Sequence, residues 1–227
     1  MDALTYLCEK YSIDLTRRRR SPIEIPNVNR DTLARLFYLL EYATGVEVGV
    51  ERGLYSEVLS RENPGVRLFC VDAWRAYRGY RDHVDQAKLD RFYVEAGERL
   101  APFPHTTLVR KFSLDAVKDF ADESLDFVYL DGNHNFENVT AELAAWGAKV
   151  RVGGILAGHD YVRYTWPNQI HVVQAVNGWT DAYEIHPWFL LGTQAKVAGE
   201  LRDTARSWCW VKPPHKSVKG YRGVVKA

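Results

Sequence analysis

From residue 45 onward, short apolar runs of strand length alternate with stretches of helical period. The runs are "GVEVGV" (45–50), "VRLFCVD" (66–72), "TTLVRK" (106–111), "LDFVYLD" (125–131) and "GGILAGHD" (153–160). Between them, residues 54–63, 81–100, 113–121 and 136–150 place apolar side chains at helical spacing, as with Phe136, Val139, Leu143 and Trp146. Near-continuous apolar strands alternating with helices predict a doubly wound, mainly parallel α/β sheet covered on both faces. Upstream, residues 2–11 and 31–43 read as helices, the second with Asp31 as its N-cap and Leu33, Leu36, Phe37 and Leu40 on one face. The stretch between them, 16–28, carries Pro22 and Pro26 and reads as a linker. Downstream, a helix around 168–183 precedes two aromatic-rich strands, 183–192 and 207–213, which suit an antiparallel hairpin at the sheet edge. The expected division is a helical segment over 1–44 that packs on the core or on a partner subunit, a main domain over 45–213, and a basic tail over 214–227.

Bulk numbers narrow this only a little. A chain of 227 residues with 46% apolar content suits one α/β domain with a small appendage. Thirty basic and 29 acidic residues leave a net charge of +1, which disfavours a nucleic-acid partner. The four arginines at 17–20 read as a solvated run before a proline-rich turn. Cys8, Cys70 and Cys209 are widely spaced and odd in number, so neither a disulfide framework nor a cysteine metal site is expected. With no apolar run of membrane-span length and no signal-peptide shape, the expectation is a cytoplasmic chain without a membrane partner.

In an open parallel sheet, ligands bind at the carboxyl ends of the strands. The residues found there form a polar crown: Glu47, Gly49 and Gly53, then Asp72, then Lys111 to Ser113, then Asp131 to His134, then His159 and Asp160. Gly49 and Gly53 permit close backbone approach beside a helix start, and Asp72 follows about 20 residues on, where an acid accepts hydrogen bonds from ribose hydroxyls. The spacing is E-x-G-x-x-x-G rather than the G-x-G-x-x-G of a dinucleotide site.

That loop, with "DFVYLDGNHNFENVTAELAAWGAKVRVGGILAGHDY" (126–161), resembles class I S-adenosylmethionine-dependent methyltransferases. The similarity is to the small O-methyltransferases of macrocin, mycinamicin and catechol type, and it runs over most of residues 40–213. It implies a Rossmann-like fold and S-adenosylmethionine as cofactor. By this resemblance Glu47 faces the methionine end, Asp72 holds the ribose, Trp74 lies against the adenine and Ser113 sits near its edge. The same resemblance makes Asp131, His159 and Asp160 ligands of a divalent metal and His134 the general base. The sequence departs from the family in two places. Glu51 stands where a middle glycine is usual, and His159 stands where an acid is usual. Imidazole suits Mn²⁺, Fe²⁺ or Zn²⁺ better than Mg²⁺. Either the metal is not Mg²⁺, or His159 points elsewhere, or the site is metal-free.

The reading implied is O-methylation of a small-molecule hydroxyl in a sugar, diol or catechol, by a chain that is a candidate homo-oligomer. Two alternatives stand beside it. One is a methyltransferase acting on nucleic acid or protein, which the "DGNH" segment and the charge disfavour. The other is a non-catalytic cofactor-binding module of the same fold. His134 also reads as a candidate cap for the helix at 136. His83, within "RAYRGYRDH", is a candidate lid residue.

Overall fold

The computed structural model describes residues 2–16, 20–77, 85–164, 170–195 and 197–214. His83, most of the arginine run and most of the basic tail lie outside them. Among the described residues, eight strands form one sheet: β1 (Ile23–Ile25), β2 (Thr44–Val48), β3 (Arg67–Asp72), β4 (Thr106–Arg110), β5 (Leu125–Leu130), β6 (Val150–Tyr161), β7 (Phe189–Leu191) and β8 (Arg206–Val211). Their spatial order is β1-β7-β8-β6-β5-β2-β3-β4. The run from β6 to β4 is parallel, and β8 alone is antiparallel to its neighbours. The result is a doubly wound, mainly parallel α/β sheet with one antiparallel strand inserted near its edge.

Two apolar clusters cover the two faces. Against one pack α1 (Ala3–Lys10), α2 (Arg30–Leu39), α3 (Leu54–Glu62) and α4 (Gln86–Leu100), through Leu7, Phe37, Tyr55 and Phe92. Against the other pack α5 (Ser113–Ala116), α6 (Phe136–Lys149) and α7 (Val172–Ala182), through Ala116, Trp146 and Val176. Period-2 alternation divides β2 between them: Val46 and Val48 join the second cluster, while Glu47 points the other way, 1% exposed.

Several elements differ from the sequence expectation. The proline-bearing linker contains β1, which pairs in parallel with β7 and forms the sheet edge. Three residues between prolines are too short to carry a periodic signal, and an edge strand tolerates flanking prolines. The N-cap of α2 is Asn29, not Asp31. The Asn29 side chain accepts from the Thr32 N–H at 3.0 Å, while Thr32 Oγ1 accepts from the Asn29 N–H at 2.8 Å. Asp31 sits inside the first turn, where its charge complements the helix dipole. The C-terminal strands do pair antiparallel, but β8 returns between β6 and β7 instead of closing the edge. No helix among the described residues is long and apolar enough to cross a membrane, and Cys8, Cys70 and Cys209 are free thiols.

Candidate active site

The cleft lies at the carboxyl ends of β2, β3, β4 and β5 and has two lobes of about 290 Å³ each. Both are lined by Gly49, Asp72 and Gly132. Together they fall in the range of roughly 300–1,000 Å³ usual for small-molecule sites.

The first lobe is organised by the loop after β2. Gly49 has φ +89°, and a Cβ there would lie 2.0 Å from the carbonyl oxygen of Asp131, so only glycine fits. Gly53, φ +74°, occupies the N-cap of α3. Glu51, where a glycine was the family expectation, adopts φ +50°. The loop is held by Asp72. Its Oδ2 accepts from the N–H groups of Val50 and Glu51 at 3.0 Å each, and its Oδ1 accepts from Trp74 N–H at 2.8 Å. A carboxylate offers about four acceptor positions, so one remains after these three bonds.

Trp74 is not an adenine platform. Its indole is 1% exposed, packs edge-on to Tyr93 and donates from Nε1 to the Glu51 carbonyl at 2.7 Å. The aromatic wall of the first lobe is instead Tyr77 and Phe112, edge-to-face at 5.5 Å, with the Tyr77 hydroxyl accepting from Asn133 Nδ2 at 2.8 Å. Ser113 does line this lobe, but its Oγ accepts from Trp146 Nε1 at 2.9 Å and also hydrogen-bonds Glu142. Glu142 is buried and faces the same lobe. Burial pushes its carboxyl up to about 7, against the hydrogen bond from Ser113. The sequence carried no sign of this role, because Glu142 sits mid-helix where a glutamate is ordinary.

The second lobe is lined by Arg30, Glu47, Tyr55, Asp131 and His134. Glu47 accepts a short hydrogen bond from Ser56 Oγ. Burial raises its carboxyl to about 8; the Ser56 bond opposes this and the nearby Asp131 charge adds to it.

Four polar residues meet beside this lobe. His134 Nε2 is 2.9 Å from Asp160 Oδ2 and 3.7 Å from Asp131 Oδ1. His159 Nδ1 is 3.6 Å from Asp160 Oδ2 and 3.8 Å from Asp131 Oδ1. The backbone explains why consecutive residues of one strand both reach the site. The β6–β8 register shifts between Gly158 and Tyr161, and Asp160 takes φ +55°. Such a bulge breaks the strict alternation of faces and re-aims side chains. Burial works against ionising Asp160, but hydrogen bonds from His134 and His159 outweigh it and hold the carboxyl well below the usual range. Burial likewise opposes charge on His159, and its bond to Asp160 with the charge of Asp131 raises it overall. His134 does not cap α6: the Phe136 N–H donates to His171 Nδ1 at 3.3 Å.

Ligand-type atoms of Asp131, His134 and Asp160 all lie within 4.8 Å of one another, a spacing that fits one divalent ion. His134, expected as the base, therefore stands in the ligand group. His159, expected as a ligand, borders it with a buried Nε2 that has no hydrogen-bond partner among the described residues.

A sequence profile for a methyltransferase domain matches residues 46–161, just over half of the chain. No curated protein matches it. Several solved structures share the fold. An O-methyltransferase from Bacillus cereus in complex with SAH aligns at TM-score 0.57 and 16% identity, covering 92% of this chain and 90% of that one. The O-methyltransferase TomG from Streptomyces achromogenes, involved in tomaymycin synthesis and complexed with SAM, aligns at 0.52 and 18% over 81% and 79%. The N-methyltransferase NodS from Bradyrhizobium japonicum aligns at 0.52 and 16% over 82% and 95%. At these identities the likeness is one of fold.

Proposed function

The chain belongs to the methyltransferase domain family, within the S-adenosylmethionine-dependent superfamily, and from that premise we propose that it methylates a hydroxyl of a small molecule such as a sugar, diol or catechol. The observation that carries this reading is the meeting of Asp131, His134, His159 and Asp160 beside a lobe that shares Gly49, Asp72 and Gly132 with its neighbour. One lobe then takes the adenosine, and the other takes the methionine end and the acceptor.

Methyl transfer is an in-line displacement at an activated sulfonium methyl, so the protein's tasks are positioning and proton removal. The remaining acceptor position on Asp72 binds a ribose hydroxyl. Tyr77 and Phe112 flank the adenine, and Gly49 lets the main chain approach the cofactor closely. An acceptor hydroxyl is a poor nucleophile at neutral pH, and the His134 imidazole takes up its proton. Asp160, 2.9 Å away, stabilises the resulting imidazolium. With His134 serving as the base, a divalent ion held by Asp131 and Asp160 with His159 would supply positive charge that lowers the hydroxyl's pKa. A set of two carboxylates and imidazole suits Mn²⁺, Fe²⁺ or Zn²⁺ at least as well as Mg²⁺.

The test is transfer of a labelled methyl from S-adenosylmethionine to a panel of sugars, diols and catechols, with calorimetry of S-adenosylhomocysteine in parallel. Product is expected on at least one class. His134→Gln should lower kcat by about 10²–10⁴-fold while homocysteine-form binding stays within a few-fold. No heat for the cofactor product would end the reading.

A further inference from the structure

Arg30 was not visible as a site residue in the sequence, yet it lines the second lobe with Glu47 and Asp131. Its main chain is fixed on every side. It is the first residue of α2, behind the Asn29 capping box. Its N–H donates to Asp203 Oδ2 at 2.9 Å, and its carbonyl accepts from the Tyr55 hydroxyl at 2.8 Å.

The side chain is fixed but unspent. The guanidinium lies over the Tyr55 ring at 5.1 Å, with 32% of the side chain exposed. Its nearest acid, Asp131 Oδ2, is 3.9 Å away, beyond hydrogen-bonding reach. It donates no hydrogen bond to any described residue. A guanidinium carries five N–H donors in a planar fork that matches a carboxylate. Here that fork is preorganised by aromatic stacking and opens into a cavity.

Resting on the methyltransferase reading above, we propose that Arg30 receives the carboxylate of the cofactor's methionine moiety, opposite Glu47, which the family resemblance already sets at the methionine end. An α-amino acid head carries both charges on one carbon, so its receptor needs a cation and an acceptor facing one space. The second lobe has both. Glu47 is 1% exposed, and its one hydrogen bond among the described residues comes from Ser56. That leaves acceptor capacity for an ammonium. The 3.9 Å gap to Asp131 lets a carboxylate dock on Arg30 without breaking an existing hydrogen bond.

The discriminating pair of ligands is S-adenosylhomocysteine and methylthioadenosine, which has the nucleoside but no amino-acid head. Calorimetry on the full chain should find the first bound more tightly by the native protein. Arg30→Met, which keeps the contact with Tyr55, should weaken S-adenosylhomocysteine by about 10- to 100-fold, the worth of a charge-assisted bond. Methylthioadenosine should change by less than about threefold, which also shows that the variant is folded. Glu47→Gln should show the same selectivity. Unchanged S-adenosylhomocysteine affinity, or equal weakening of both ligands, overturns the assignment. So does a variant whose only defect is a raised KM for a carboxylate-bearing acceptor, which would place Arg30 on the acceptor instead. If the native protein binds neither ligand, the methyltransferase reading fails and takes this proposal with it.

Discussion

At the ends of β2 and β3 the cleft is shaped by main chain, whereas at the ends of β5 and β6 it is shaped by charge. In the first half a glycine at φ +89° and three N–H groups gathered by Asp72 fix the loop without any ligand. In the second half two histidines and two aspartates are held close by a bulge in β6 and by their mutual attraction. A backbone-built half has its shape set by chain geometry. A charge-built half changes with protonation and with any bound cation. The division matches two tasks, since a cofactor is constant while a proton must come and go.

The strongest way to break this contrast is Gly49→Ala. The new Cβ would collide with the Asp131 carbonyl, 2.0 Å away, in a conformation L side chains rarely adopt. Loss of about 3 kcal/mol or more in a urea melt is expected, with S-adenosylhomocysteine binding abolished. Ordinary stability and affinity in this variant would show that the first half is not built on its backbone.

A smaller effect concerns pH. Burial raises the Glu47 carboxyl from 4.5 to about 8 in the folded chain. The folded state therefore holds this proton more tightly than the unfolded state, and stability falls as pH rises between those values. Glu47→Gln removes that loss. Relative to the native chain, the ligand-free variant should gain on the order of 3 kcal/mol between about pH 5 and pH 8. Urea melts at both ends measure it, and parallel curves would mean that Glu47 ionises normally.

The smallest effect sharpens the contrast within the first half. Trp74→Phe keeps the ring but removes the Nε1 donor to the Glu51 carbonyl. A cost of about 1 kcal/mol is expected, seen as a melting temperature lower by roughly 2–4 °C. Cofactor affinity should move by no more than about fivefold. A hundredfold loss would return Trp74 to direct contact with the adenine.

What could be read beforehand follows the same division. Apolar runs mark where strands end, and that rule alone puts Asp131, His134, His159 and Asp160 at one edge of the sheet, where their side chains meet. The bulge that lets His159 and Asp160 act together was hidden, since local sequence does not encode the pairing of β6 with β8. Trp74 was misplaced because an aromatic after a strand suits a ligand platform and a buried clamp equally well. Arg30 was missed because helical periodicity reports the apolar face of α2 and is silent on its first turn. The insertion of β8 between β6 and β7 pairs residues far apart in the chain, Gly158 with Trp208 and Phe189 with Cys209, which no short window contains.

The contact between Gly49 and the Asp131 carbonyl has a consequence for how this scaffold can diverge. It ties two loops together through atoms that every residue type possesses, so no side-chain exchange at position 131 can relieve a change at position 49. New acceptor chemistry can arise by replacing the groups carried at 131, 134, 159 and 160. Lengthening either loop at the crossing would unseat the other. The crossing acts as a fixed pivot, and inherited variety has to enter around it.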